Sequence, residues 1–145
     1  MPLTNTGCVV WVGALQSGKD GGYGYLKLGG ASRRVHRLTY ELHFGPIPDG
    51  MLVDHRCGVR SCINPDHLRL ATPSQNAAHL TRMSAANTSG HRNVFWHGPS
   101  RTWQVLIGVN GHNKSFGMYA DIEDAANVAR QKRREIYGEF AGIDN

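Results

Sequence analysis

Three cysteines are all the chain has. An odd count leaves one thiol over in any disulfide scheme, and nothing marks the chain as secreted, so the disulfide-dense class of small domains is excluded. Acidic residues are also in deficit, eleven Asp and Glu against sixteen Lys and Arg, for a formal charge of +5. That bias fits a nucleic acid or an anionic surface as partner. No apolar run reaches transmembrane length, and Met1-Pro2-Leu3-Thr4 does not open a signal peptide. A soluble, reducing, cytoplasmic setting without a membrane partner is therefore expected. A GxxxxGK[ST] run is absent too, so the glycine-rich residues 17–22 read as a hairpin loop rather than a phosphate cradle. With 145 residues, the chain can hold one modest core or two small ones.

What is present is concentrated between Val53 and Leu68. Cys57 and Cys62 are separated by four residues, and His67 follows Cys62 after another four. Thiolates and imidazole suit Zn²⁺, which takes four N/S ligands in a closed structural site. Cys8 is the one cysteine left to complete a Cys₃His set. The oxygens of Asp54 and Asn76 suit a harder cation, Mg²⁺ or Mn²⁺, that also binds phosphate. His55 stands between the two groups, and an imidazole beside a hard cation is placed to deprotonate water. Asn64-Pro65 is a turn signal between the β-prone runs 51–53 and 68–71, and Thr72-Pro73 reads as the start of a helix carrying Asn76. Taken singly, Asp54 could be a turn carboxylate, Asn76 a solvated helix residue and the cysteines buried thiols. Their joint spacing carries the weight.

The run Asp54-His55-x-Cys57-x₄-Cys62-x-Asn64-Pro65-x-His67-Leu68, followed by Asn76, resembles the HNH, or ββα-metal, nuclease superfamily. The likeness is to phage HNH enzymes and to the His-Cys box homing endonucleases. That resemblance implies His55 as general base, Asp54 and Asn76 as ligands of the catalytic cation, and Cys57, Cys62 and His67 with an upstream Cys8 as structural zinc ligands. Departures from the simple His-Asn-His lettering exist: His67 stands where many members have Asn, and Asn76 where others have the last His.

Upstream, residues 8–12 and Tyr23–Leu28 read as two strands, residues 29–32 as a turn, and residues 35–44 as a helix stopped by Gly45-Pro46. Arg33, Arg34 and Arg37 crowd that helix start, either as solvated charge or as guanidinium contacts to DNA phosphate. The helix after Thr72 is expected to continue through Leu80 and fade near Arg82, and residues 85–91, small and polar, read as a linker. Three strands follow, at 94–96, 102–107 and 114–119, with an Asn110-Gly111 hairpin turn. A helix capped by Asp121 and stopped by Gly138 then closes the chain. Residues 90–141 resemble the DNA-binding domain of plant ethylene-response factors, which implies that the sheet reads the major groove. Arg92, Trp96, Arg101 and Lys114 would then face DNA; Trp103 and Gln104 alternate along one strand and cannot both do so. Lys132, Arg133 and Arg134 read as a solvated helix end.

The expected class is α+β: a ββα-metal nuclease domain with structural zinc at 1–84, a linker at 85–91, and a small three-stranded sheet plus helix at 92–145 that binds DNA. The expected activity is metal-dependent cleavage of double-stranded DNA with some site preference. A non-catalytic, zinc-stabilised DNA-binding regulator is the rival. Cutting both strands from one site usually calls for a pair of chains, so a homodimer and a nickase both stay open.

Overall fold

The computed structural model describes residues 6–17, 22–79, 83 and 85–142. Most of the expected loop at 17–22 and the continuation of the helix past residue 79 lie outside them. The chain divides into two compact units, Met1–Thr72 and Pro73–Asn145.

In the first unit, β1 (Tyr25–Leu28) and β2 (Ala31–Arg34) form an antiparallel hairpin. Gly29 and Gly30 close it, both at positive φ (56° and 83°), as a tight primed turn requires. The expected turn at 29–32 is thus two residues long, and β2 runs straight into α1 (Val35–Phe44). Gly45, at φ 94°, ends that helix and donates its N–H to the Glu41 carbonyl. β3 (Leu52–His55) and β4 (Leu68–Ala71) make a second antiparallel pair, with Asp54 opposite Arg69 and His55 opposite Leu68. The link between them carries a 3₁₀ turn at Pro65–His67, capped by the Asn64 side chain accepting from the Asp66 N–H. Residues 8–12 form no regular strand. They lie along this link instead, where Trp11 N–H donates to Ser61 O (2.8 Å) and Ile63 N–H to Val9 O (2.7 Å). An antiparallel bridge between Val10 and Cys62 accompanies these bonds, and Cys8 is thereby brought to the Cys62 loop.

In the second unit, α2 (Pro73–His79) begins on proline, whose fixed φ and missing N–H suit a first helical position. The unit boundary at 72/73 precedes the expected linker because α2 is bonded to residues near the C-terminal end of the chain. Ser74 Oγ lies 3.2 Å from the Tyr137 hydroxyl, and the Asn110 N–H donates to Ser74 Oγ. The linker itself is folded, since Ser89 Oγ donates to the Val94 carbonyl at 2.7 Å.

β5 (Val94–His97), β6 (Thr102–Val109) and β7 (His112–Tyr119) form an antiparallel sheet in that order. α3 (Ile122–Tyr137) covers one face, with Ala125, Ala126 and Ala129 against Val94, Val105 and Ile107. Those alanines let the helix backbone approach the sheet closely. Asp121 caps α3 by accepting from the Glu123 and Asp124 N–H groups, and Gly138 stops it at φ 52°. Arg133 departs from the expected solvated end: it is buried, and its guanidinium donates to Arg92 O and Asn93 Oδ1.

Candidate functional site

Four soft ligands meet in the first unit. One donor atom each from Cys8, Cys57, Cys62 and His67 falls within 4.8 Å of all the others. Cys8 and Cys62 are fully buried, while Cys57 and His67 are half-buried. His67 Nδ1 lies 3.4 Å from Cys8 Sγ and 3.6 Å from Cys62 Sγ. Sulfur also receives outer hydrogen bonds, from Thr6 Oγ1 to Cys8 (3.3 Å) and from the Asn64 N–H to Cys62 (3.4 Å). Burial pushes the Cys8 thiol up, but hydrogen bonds with Thr6, Cys57, His67 and Cys62 outweigh it and bring it down to about 7. Burial, together with its sulfur neighbours, pushes Cys57 up to about 12. Three thiols in contact cannot all ionise without a cation among them, and donor sets of this kind are what soft divalent metals hold. The arrangement is a possible Cys/His metal site, built from the four residues the spacing singled out.

Cys62 serves two purposes. Its sulfur joins the cluster, and its backbone carbonyl lies 3.0 Å from His55 Nε2. A carbonyl can only accept, so the hydrogen of this bond is carried by Nε2. His55 is 5% exposed and Asp54 6%. Asp54, expected as a ligand of the hard cation, accepts at Oδ2 from Arg69 Nε at 2.8 Å, in an ion pair buried on both sides. The reason is register, since Arg69 is the cross-strand partner of Asp54. Asn76 stands fourth in α2, half-buried, in the second unit.

Sequence reasoning missed the groups around His55. His36, second residue of α1, is buried with its ring centroid 4.8 Å from that of His55. Tyr23 lies 5.0 Å from His36 and 5.9 Å from His55. Burial, then repulsion that a charge on His36 would meet from its neighbours His55, Arg34 and Arg37, lowers the His36 pKa to about 3. Arg34, expected to touch phosphate, sits with its guanidinium 4.8 Å from the Tyr23 centroid; Arg60, unremarked in the sequence, is 5.9 Å from it. Arg33 pairs with Glu41 at 3.1 Å, and Arg37 is half-buried on the first turn of α1. His36 at the second position of an amphipathic helix was the one available signal, because a histidine there falls on the buried side with Val35.

In the second unit, alternation divides the expected DNA-facing residues. Trp103 lies among the helix-covered neighbours, and Gln104 on the opposite face, where its amide donates to Ser115 Oγ. Trp96 is the cross-strand partner of Trp103, packed edge-on to it at 4.9 Å, so it belongs to the helix side despite being 49% exposed. Lys114 pairs with Ile107 and lies over the Phe116 ring, again on the helix side. Arg92 is tied to the backbone carbonyls of Ala78 and Ala141 rather than presented outward. Arg101 is exposed in the β5–β6 turn, with φ 54°.

Among the described residues, no helix is long and apolar enough to cross a membrane. Residues 33–78 match the HNH endonuclease family, a span that contains Asp54, His55, Cys57, Cys62, His67 and Asn76. Protein 3.8 of Escherichia phage T7 is 32% identical over 108 residues, covering 74% of this chain and 88% of that protein. The gene 5.3 protein of Enterobacteria phage T3 is 42% identical over 71 residues, 44% of this chain and 67% of that protein. HNH endonuclease L560 of Acanthamoeba polyphaga mimivirus is 28% identical over 109 residues, and the match spans 55% of that longer protein. No solved structure matches the chain. The chain thus belongs to the family of phage T7 Protein 3.8 and carries an HNH endonuclease family domain within residues 33–78.

Proposed function

We propose that the chain is a metal-dependent HNH endonuclease that hydrolyses phosphodiester bonds of double-stranded DNA, with His55 as general base. The observation that carries this is the Nε2 bond of His55 to the Cys62 carbonyl, 3.0 Å long, which turns the Nδ1 side of the ring away from that bond. His55 Nδ1 takes a proton from water, the water oxygen attacks phosphorus, and the P–O bond to the leaving oxygen breaks. By the family resemblance Asp54 and Asn76 would hold a hard cation, Mg²⁺ or Mn²⁺, which would supply charge neutralisation at the phosphate and the leaving oxygen. Arg69 fixes Asp54 through Oδ2. Asn76 supports the reading by falling within residues 33–78, the span that matches the HNH endonuclease family.

Cys8, Cys57, Cys62 and His67 hold structural Zn²⁺. A tetrahedral ion with bonds of about 2.3 Å to sulfur and 2.0–2.1 Å to nitrogen sets S···N edges at roughly 3.5–3.6 Å. The two separations from His67 Nδ1, 3.4 and 3.6 Å, fit such edges. The zinc knot therefore holds the carbonyl that orients the base.

The second unit is a DNA reader of the ethylene-response-factor type, using the sheet face opposite α3. Gln104 on that face and Arg101 at its edge supply contacts, joined on the first unit by Arg34 and Arg37 near His55. Binding of this kind depends strongly on salt. Cleavage of a plasmid with Mg²⁺, against a chelator control and against His55→Ala, tests the assignment. His55→Ala should cut about 10²–10⁴-fold more slowly. Cutting by His55→Ala at the wild-type rate refutes His55 as base. The burial of both Asp54 and His55 favours one rival, a zinc-stabilised DNA-binding regulator without catalysis. Binding by the wild type with no cutting of any substrate, its own locus included, would select that rival.

A further inference from the structure

Two guanidiniums from separate elements meet at one aromatic ring beside His55. Arg34 comes from the end of β2 and Arg60 from the loop between Cys57 and Cys62, their Cζ atoms 4.8 and 5.9 Å from the Tyr23 centroid. That ring centroid in turn lies 5.9 Å from the His55 ring. Arg37 adds a third positive charge near His36. Positive groups gathered at one place attract a polyanion. A guanidinium lying over a tyrosine ring directs its N–H donors in its own plane rather than into the ring.

We propose that Arg34 and Arg60, gathered over Tyr23, form a clamp for a DNA phosphate at the His55 site. This rests on the nuclease reading above and adds Tyr23 and Arg60 to its substrate-binding residues. Arg60 also makes the metal loop itself a part of the DNA interface, since Cys57 and Cys62 fix the segment that carries it.

The test is the salt dependence of binding to a double-stranded oligonucleotide, measured in a His55→Ala background so that nothing is cut. Arg60→Gln should weaken binding several-fold whatever the sequence, and lower the slope of log affinity against log salt by about one. Arg60→Lys keeps the charge and should keep the slope, with weaker affinity from the lost fork. Tyr23→Leu should weaken binding with the slope retained. Thermal midpoint and bound zinc should stay at wild-type values in Arg60→Gln. An unchanged slope in Arg60→Gln overturns the clamp. So does a loss of zinc or of melting temperature that accounts for the weaker binding, because Arg60 would then only brace the loop. Plasmid cutting by the wild type is scored separately. Failure to cut sinks the nuclease reading while a lowered slope still supports the clamp, and cutting with an unchanged slope does the reverse.

Discussion

Removing the metal from the Cys/His cluster should unfold the first unit and spare the second. Among the described residues, the buried aliphatic side chains of the first unit are Val35, Val53 and Leu68, with Ala71 adding little. Each full burial contributes about 1.5–3 kcal/mol, whereas a structural zinc contributes on the order of 10–16 kcal/mol at pH 7. A zinc ion held there would therefore outweigh the three aliphatic residues together. The second unit has its own core of Val94, Val105, Ile107, Ala125, Ala126 and Ala129, which no metal touches. Calorimetry of the full chain, with and without a strong chelator, should show the first unit's transition lost and the second unit's retained. Amide NMR should show the signals of β3 and β4 collapsing into the unfolded range while those of β5–β7 stay dispersed. Cys8→Ser should bind zinc substoichiometrically and behave like chelated wild type. Zinc affinity should rise with pH, because binding must remove the proton from Cys57, pushed up to about 12, and Cys8, at about 7. Unaltered melting in chelator, or one full equivalent of zinc in Cys8→Ser, would refute the reasoning.

Arg69→Met should destabilise the first unit by about 3–5 kcal/mol, since it leaves the Asp54 carboxylate buried without its guanidinium; a denaturant midpoint at the wild-type value would count against the pair. His36 has a folded-state pKa near 3 against an ordinary value of 6.5, so the unfolded chain takes up its proton first. Stability from this group is complete above about pH 6.5 and is lost as pH falls toward 3. At pH 5 the loss is roughly 2 kcal/mol. His36→Phe should flatten that part of the pH–stability curve relative to wild type; parallel curves would argue against a neutral buried His36. Asp121→Ala should cost the second unit about 0.5–2 kcal/mol through the lost cap on α3, read as a lower melting temperature of that unit alone.

Local pattern alone singled out the four Cys/His side chains and most of the elements. Spacing of Cys57, Cys62 and His67, with one cysteine left elsewhere, selects the cluster before any fold is known, because metal chemistry restricts which side chains qualify. Proline, glycine and capping signals likewise fix α1, α2 and α3 locally, since caps and stops are short-range effects. What only the tertiary structure decided depends on pairing across the chain. The segment 8–12 lies along the Cys62 loop, although its apolar run reads as a strand. The register of β3 on β4 sets Arg69 against Asp54, and a one-residue slip would have sent both to other faces. Alternation in β5–β7 turns Trp96 and Lys114 toward α3 and leaves Gln104 opposite. His36, Tyr23 and Arg60 come to His55 from three separate segments. No local pattern encodes such a meeting, because it depends on how helix, hairpin and metal loop pack around one imidazole.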